Sequence, residues 1–460
     1  MDEEEERERE ESSSKEEWLN VERCSYRGEG NANIVVAFSR ERCVLRLRKW
    51  SLEEGRPEVG RRWAEREYRF AKHVATFFLG DYAKVPEIRQ YSKRSVEELS
   101  RRIFPSRPER RRHQRIIEEF ATVYPDYCLL PHQVERACVQ NSPAFCVEIK
   151  PKQGYHNAEA QRLQKCSYCL TQYYKLRVAA IQSRSQYCPL DLFSGRRNRI
   201  CRALEALLKN PQNNLKIFKD GNVVYDHNSH VDLARAVLKD WFGFDEHGKN
   251  IDRFCNVVCD ALLRNYHEND LDEWNSADIA YSSTAKESAN VIFRTNEPCD
   301  FGEPQLPENS ILERILRMQK LCYVPAEIVN DIYGKYSTII DNDMVYFGLN
   351  KFHKTPDTRE LLEQTFPVPN EFLLLLQNYF LYCTARDCSI LVTFKETQLH
   401  DSISNKNAVI ISDDKYFLSN VNVADLDPKN VHKIKKHQER DANVLRCASD
   451  ELAVEATERK

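Results

Sequence analysis

Apolar and charged positions change their period along the chain. In C-V-L-R-L-R-K at 43–49, Leu45 and Leu47 alternate with Arg46 and Arg48, the two-residue period of a half-exposed strand. The run Y-R-G-E-G-N-A-N-I-V-V-A-F at 26–38 reads as strand, tight turn, strand, and Trp63 to Leu79 has helical spacing. Residues 126–155 hold more strands; in A-F-C-V-E-I-K at 144–150, Phe145, Val147 and Ile149 face one way, Glu148 and Lys150 the other. From about 158 the spacing is helical over 159–182, 194–209, 230–241, 250–266, 310–321 and 370–380. Two short strand pairs return near 387–396 and 408–424, and residues 267–309 and 341–368 read as irregular loops. The plan is α+β in two lobes. A smaller mixed-sheet N-terminal lobe spans 21–157 and a larger helix-rich C-terminal lobe spans 158–446, between a disordered acidic tail at 1–20 and a tail at 447–460.

Composition narrows the class. The net charge is −3, from 68 Lys+Arg against 71 Asp+Glu, which argues against a generally basic nucleic-acid binder. That balance hides two blocks: residues 2–17 hold ten acids and three bases, and residues 89–115 hold ten bases and three acids. The acidic block reads as a solvated tail. The basic block at 89–115, which includes R-P-E-R-R-R-H-Q-R at 107–115, reads as a solvated helix face, with anion recruitment as the alternative. No apolar run approaches the ~20 residues of a membrane span, so a soluble intracellular protein is expected. The sixteen cysteines read as reduced and mostly core-filling. Cys166-x-x-Cys169 has no second pair near it in sequence, and neither it nor Cys255-x3-Cys259 with His267 is expected to bind metal.

Several groupings point to phosphate chemistry. Thirteen glycines in 460 residues is under half the usual ~7 %. Two of them, Gly28 and Gly30, fall in G-E-G-N-A-N between strands, where bare backbone N–H groups can approach a phosphate. Asn33 replaces the third glycine of a dinucleotide fingerprint and a strand follows, so a nucleotide-covering hairpin of the kinase type fits better. A plain hairpin turn uses the same residues. Arg46 stands on the next strand, where a kinase holds α- and β-phosphates; the bland alternative is a solvated strand face. In E-I-K-P-K-Q-G at 148–154 a glutamate orients Lys150, and Pro151 ends the ladder and projects Lys152. An exposed strand edge is the competing reading. In A-R-D-C-S-I-L, Asp387 is placed at a strand start and suits accepting a hydroxyl proton. Asp425 and Asp427 end a later strand and are oxygen ligands of the kind Mg²⁺ takes. Lys429, Lys433 and His437 recur every four residues, as on one helix face. Each aspartate read alone is also a turn or cap residue.

Together these segments resemble the inositol-pentakisphosphate 2-kinase family. The matching runs are YRGEGNANIV (26–35), VLRLRK (44–49), EIKPKQG (148–154), CPLDLFSG (188–195), PQNNLKI (211–217), ENSILERILRMQKL (308–321), TARDCSIL (384–391) and DLD-P-K (425–429), in family order. The resemblance implies a two-lobe kinase-like fold and ATP-dependent, Mg²⁺-dependent phosphorylation of the 2-hydroxyl of inositol 1,3,4,5,6-pentakisphosphate, giving the hexakisphosphate. It implies ATP contacts from Gly28, Glu29, Gly30, Asn31, Asn33, Arg46, His132, Glu148, Lys150 and Asp425. It implies substrate-phosphate contacts from Lys152, Lys175, Asn213, Lys429 and Lys433. Asp387 is then the general base, Lys150 a catalytic cation and Asp425 the Mg²⁺ ligand. Asn214 and Lys216 share the loop of Asn213.

The sequence departs from the family pattern at Ser167, where an arginine is expected, and at Thr171, where a histidine is expected; Gln172 and Lys175 remain. The proline after Asp425 is also displaced. These departures bear on affinity or substrate choice and raise the alternative of a catalytically impaired inositol-polyphosphate scaffold. Plant members carry a structural zinc, whose His/Cys set is not placed in this sequence, and none is expected. The expected partner is the small-molecule substrate, with neither membrane nor nucleic acid, for a monomer in the cytoplasm or nucleus.

Overall fold

The computed structural model describes residues 20–30, 32–50, 61–156, 161–244, 248–266, 299–322, 324–348, 368–398, 409–412 and 415–457. Cys24–Glu29 (β1), Asn33–Phe38 (β2), Cys43–Trp50 (β3), Glu87–Gln90 (β4) and Arg115–Pro125 (β5) form one sheet in the order β1-β2-β3-β5-β4. Ala144–Ile149 (β6), Leu215–Lys219 (β7), Asn222–Tyr225 (β8), Ser389–Thr397 (β9), Val409–Ser412 (β10) and Lys415–Ala424 (β11) form a second, ordered β10-β11-β9-β6-β7-β8. The chain divides into two units, one from residues up to Thr76 and from Lys84 to Asp126, the other from Phe77–Ala83 and Tyr127 onward. The α+β, two-lobe plan therefore holds, but the first sheet is not mixed. Its pairings are all antiparallel; β1, β2 and β3 follow one another through turns too short for a parallel crossover.

In the first unit the alternation read from the sequence sets the core. Ile34, Val36, Leu45 and Leu47 point inward and pack on Ala121, Val123 and the apolar face of Lys93–Ile103 (α2), through Val96, Leu99 and Ile103. Ser92 caps α2 by accepting from the Ser95 N–H. Arg61–Phe70 (α1) covers the same unit through Trp63, Ala64 and Phe70. The basic block at 89–115 divides: Lys93, Arg94, Arg101 and Arg102 are exposed on α2, as a solvated helix face, but the run at 107–115 forms no such helix. Pro108 interrupts it, Glu109–Arg111 makes a single 3₁₀ turn, and Arg107 turns inward. There Arg107 meets Glu29 in a bidentate pair at 3.0 and 2.9 Å, while Lys49 donates to the same carboxylate at 2.5 Å. The three side chains are at most 2 % exposed. Burial works to raise the Glu29 pKa, but Arg107 and Lys49 outweigh it and hold the carboxyl below its ordinary range.

The second unit is built on the other sheet. Trp241, near the end of Val231–Phe242 (α5), stacks on Phe145 at 4.8 Å and on Phe242 at 4.8 Å, and meets Phe394 at 5.4 Å. The remaining long elements are Ser167–Arg177 (α3), Arg197–Lys209 (α4), Asn250–Leu263 (α6), Ile311–Gln319 (α7), Ala326–Tyr336 (α8), Asn342–Phe347 (α9), Asn370–Asp387 (α10) and Ile434–Thr457 (α11). Helix α9 falls inside a stretch read as loop; Asp341 caps it by accepting from the Met344 N–H at 2.8 Å. Of the expected loops, 299–309 is described and carries no helix or strand, whereas 267–298 and 349–367 lie outside the described residues, as does the 1–19 tail. None of the described helices is long and apolar enough to cross a membrane.

Removing one member of a buried ion cluster leaves the others uncompensated. Arg107→Met is expected to lower stability by about 3 kcal/mol in urea unfolding. Unchanged stability would show that Lys49 compensates Glu29 without Arg107.

Candidate active site

Three adjacent strands of the second sheet end at one height. The register pairs Ile149 with Ile390 and Ser389 with Ala424, so the end of β6, the start of β9 and the end of β11 lie side by side. Glu148 and Lys150 leave β6 there, Ser389 opens β9, and Asp425 follows β11 with a left-handed φ of 59°. Lys150 Nζ donates to Asp425 Oδ2 at 2.5 Å and to Ser389 Oγ at 2.8 Å. The Ser389 hydroxyl lies 3.0 Å from Glu148 Oε1 and 2.9 Å from Asp425 Oδ2, and its one proton serves one carboxylate at a time. Lys216, opposite Glu148 on β7, donates to Glu148 Oε2 at 3.0 Å. Burial alone would push Lys150 down; Asp425 and Glu148 reverse this and carry it up, so the ammonium stays charged. Burial likewise works to raise Glu148, but Lys216 and Lys150 hold it below its ordinary range. Sequence reasoning missed Ser389, which is 1 % exposed and whose signal is a polar residue just before the apolar run at 390–392.

Asp387 is not at a strand start. The buried run Leu373, Leu376, Phe380, Cys383 and Ala385 keeps α10 helical through Asp387, and only Cys388 separates it from β9. Lys429 Nζ stands 3.4 Å from its carboxylate. Burial would raise the Asp387 pKa, but Lys429, Arg386 and Lys152 hold it well below the carboxylate range. Lys152 follows Pro151 with a left-handed φ of 62°. Burial pulls its ammonium down to about 8, against the pull of Asp387, with Lys150 and Lys175 close enough to add repulsion. Burial also lowers Lys175, on α3, with Asp387 opposing. Thus Lys150, Lys152, Lys175, Lys429, Asp387, Glu148 and Asp425 form one electrostatic neighbourhood.

The other expected residues are placed differently. Lys429, Lys433 and His437 do not share a helix face: Lys429 lies in the loop after β11, Lys433 closes a 3₁₀ turn, and α11 begins only at Ile434. His437 packs inward, 3.2 Å from the Tyr379 hydroxyl, and burial lowers its pKa to about 4. Asn213 is exposed in the turn before β7. Its neighbour Asn214 is buried and structural; its carbonyl accepts from the Lys150 N–H at 2.9 Å and its amide donates to Tyr168 Oη at 2.7 Å. Gln172 is buried as well, accepting from the Ser185 N–H at 3.0 Å. His132 is exposed and opens the short helical turn His132–Glu135.

In the first unit, β1 and β2 flank the glycine turn, closed by Gly30 N–H donating to Asn33 O at 3.0 Å. Side chains at Gly28 or Gly30 would meet nothing within 4 Å, so packing does not explain the glycines. Glu29 does not offer its carboxylate to a ligand, because Lys49 and Arg107 consume it; only its backbone is presented. Arg111 Nη1 donates to the Glu29 carbonyl at 2.9 Å and to that of Gly30. Asn31 lies outside the described residues. Arg46 pairs with Glu67 of α1, whose carboxylate also accepts from Tyr124 Oη at 2.8 Å. With its amide oriented to satisfy both ends, Asn33 accepts from Arg46 Nη2 at 2.9 Å. A third-strand cation paired to a helix glutamate is the arrangement kinases use to orient phosphates.

The Cys166-x-x-Cys169 pair does acquire partners, through folding rather than sequence proximity. Cys188 and Cys299 join it, and the four sulfurs lie within 4.8 Å of one another. Sγ–Sγ distances are 3.8 Å for Cys188–Cys166, 3.6 Å for Cys188–Cys299 and 3.8 Å for Cys299–Cys169. Tetrahedral zinc with sulfur at about 2.3 Å requires sulfurs about 3.8 Å apart, so this donor set suits a structural zinc.

A charged cluster fixed at a sheet end, an aspartate kept ionised among lysines, and an Arg–Glu pair on the strand after a glycine turn define a phosphotransferase of the kinase type. A sequence profile described as inositol-pentakisphosphate 2-kinase matches residues 26–443, and the chain belongs to that family. It is 28 % identical over 471 residues to the inositol-pentakisphosphate 2-kinase of Danio rerio, covering 91 % of this chain and 92 % of that protein. The enzyme of that name from Arabidopsis thaliana is 23 % identical over 470 residues, with 91 % and 92 % covered. That from Drosophila melanogaster is 42 % identical over 84 residues, 17 % of this chain and 14 % of that protein.

If the four thiols hold zinc, elemental analysis of the purified protein should give about one zinc per chain, lost in Cys299→Ser together with a fall in Tm. Metal-free wild-type protein of unchanged Tm would leave the thiols as core packing.

Proposed function

We propose that the protein transfers the γ-phosphate of ATP to the 2-hydroxyl of inositol 1,3,4,5,6-pentakisphosphate, giving the hexakisphosphate, as a monomer. The observation that carries this reading is the gathering of Lys152, Lys175 and Lys429 around an aspartate held ionised. A ring bearing five phosphates needs several cations fixed on different elements, each charge-assisted. Here they come from a strand end, a helix and a loop. Asn213 and Lys433, both exposed, are assigned to outer phosphates.

Phosphoryl transfer passes through a loose transition state, so positioning and charge neutralisation outweigh covalent chemistry. Asp387 accepts the hydroxyl proton. Its depressed pKa keeps it an acceptor at neutral pH and delays proton transfer until the oxygen is strongly acidified. Lys150, kept charged by Asp425 and Glu148, supplies positive charge where the β- and γ-phosphate oxygens gather. By the resemblance, the glycine turn at Gly28, Glu29 and Gly30, with Arg46 and Asn33, is assigned to the nucleotide phosphates, and His132 to the adenine. Asp425 and the hydroxyl of Ser389 suit Mg²⁺, which takes one or two carboxylates plus substrate phosphates and supplies charge neutralisation when bound.

A second reading, an inositol-polyphosphate scaffold without turnover, is favoured by Ser167 and Thr171. Thr171 Oγ1 donates to the Ser167 carbonyl at 2.8 Å, so its hydroxyl is spent inside α3. Incubation with ATP, Mg²⁺ and several inositol phosphates separates the two. Hexakisphosphate from the pentakisphosphate is expected; tight binding without product selects the scaffold. In the active protein Asp387→Asn should lower kcat by about 10²–10⁴ with ATP affinity nearly unchanged, and persistent turnover would remove Asp387 as the base.

The pH dependence follows from Lys152. Its charge binds the anion and is lost as pH rises through about 8. The kcat/KM for the pentakisphosphate should therefore fall above that pH. Lys152→Arg, charged throughout, should flatten the fall. A wild-type profile flat to high pH would show that Lys152 does not carry binding.

A further inference from the structure

We propose that Gln319, in the last turn of α7, is the positioning residue that locks the Lys152 turn to the end of the Asp387 helix. This rests on the function proposed above and gives a task to the 308–321 segment, otherwise only a mark of resemblance. Helix α7 is itself firmly placed. Ser310 accepts from the Glu313 N–H, in the Ser-x-x-Glu pattern of a capping box, and Ile311, Leu312, Ile315 and Met318 are buried. At its end the Gln319 side chain is 0 % exposed and fully engaged. Its Nε2 donates to the Lys152 carbonyl at 2.7 Å and to the Ala385 carbonyl at 3.3 Å. Its Oε1 accepts from the Gly154 N–H at 2.7 Å.

These bonds fall on either side of a backbone that needs support. Lys152 has the left-handed φ of 62°, which a non-glycine residue keeps only where its surroundings over-determine it. Gly154 is pressed against Phe193, whose ring a side chain at 154 would enter. The Ala385 carbonyl precedes Asp387 by two residues, so one amide ties the substrate-facing cation to the proposed base. A second tie runs parallel. Tyr382 Oη donates to Gln153 Oε1 at 2.7 Å and accepts from Arg386 Nη1 at 2.7 Å. Only an amide fits the Gln319 position. A carboxylate would face two carbonyls with no donor, and an apolar side chain would take the side-chain partner from the Lys152 carbonyl and the Gly154 N–H and leave the Ala385 carbonyl only the weak Cys388 thiol at 3.1 Å.

The test uses the full chain with Gln319→Met and Gln319→Glu, beside Ile315→Val, a buried change on the same helix outside the clamp. In both Gln319 variants kcat/KM for the pentakisphosphate should fall roughly 100-fold with KM for ATP nearly unchanged. Amide exchange at Gly154 should accelerate in Gln319→Met, which has lost its acceptor. Ile315→Val should move neither reading, whatever its Tm. Folded variants with wild-type kcat/KM and Gly154 protection would overturn the proposal, as would Ile315→Val reproducing the loss at matched Tm. If Gln319→Met fails to fold, Gln319→Glu, which keeps the volume and the acceptor, decides by its kinetics. If the wild type makes no product, the proposed function fails and Gly154 exchange still decides on the clamp: unchanged exchange in Gln319→Met overturns it.

Discussion

A lysine held between carboxylates at the end of a sheet is the constraint on which the second unit depends. Glu148 and Lys150 lie where the central strand β6 runs out, and taking such charges from water costs several kcal/mol per ion unless partners meet them. The partners come from both flanks: Lys216 from β7, Ser389 from β9 and Asp425 from the end of β11. That requirement fixes three strand ends at one height. It also explains Pro151, which stops the ladder where the charges must face outward. Asp425 follows β11 immediately in a strained left-handed conformation, consistent with a side chain placed for contact at the expense of backbone comfort.

Much of this was legible because it is local. Alternation placed Phe145, Val147 and Ile149 opposite Glu148 and Lys150, and the Pro151 break was readable in one dimension. The glycine turn, the Arg46 strand and the core helix after Phe372 were readable for the same reason. What was not legible depends on contacts between distant positions. Glu29 looks like a ligand-facing loop residue until Arg107 arrives from 78 residues away. Cys166 and Cys169 look isolated until Cys188 and Cys299 fold onto them. Asp387 looks like a strand start because the apolar run after it is obvious, while the apolar stripe that keeps α10 helical through it needs the whole helix to be seen.

The two kinds of glycine separate along the same line. Gly154 is a packing glycine, forced by the Phe193 ring. Gly28 and Gly30 face open space, but Gly28 has a φ of 158° at an irregularity in β1, a backbone conformation that favours glycine. Neither packing nor a positive φ accounts for Gly30, which leaves close approach of a ligand as its explanation.

Charge follows a similar logic. A net charge of −3 gives no long-range attraction for a polyanion. Yet the second unit holds Lys150, Lys152, Lys175 and Lys429 near one another, and burial there has a cost that shows in the depressed pKa values of Lys152 and Lys175. Asp387, Asp425 and Glu148 make that density tolerable and keep it from appearing in the sum. The carboxylates therefore do two things at once, neutralising the cations around them and presenting the oxygen atoms that phosphoryl transfer uses. Recognition of a highly charged small molecule then rests on fixed local geometry, which is why hydrogen bonds that hold backbone turns, such as those at Lys152 and Gly154, matter more here than the overall field.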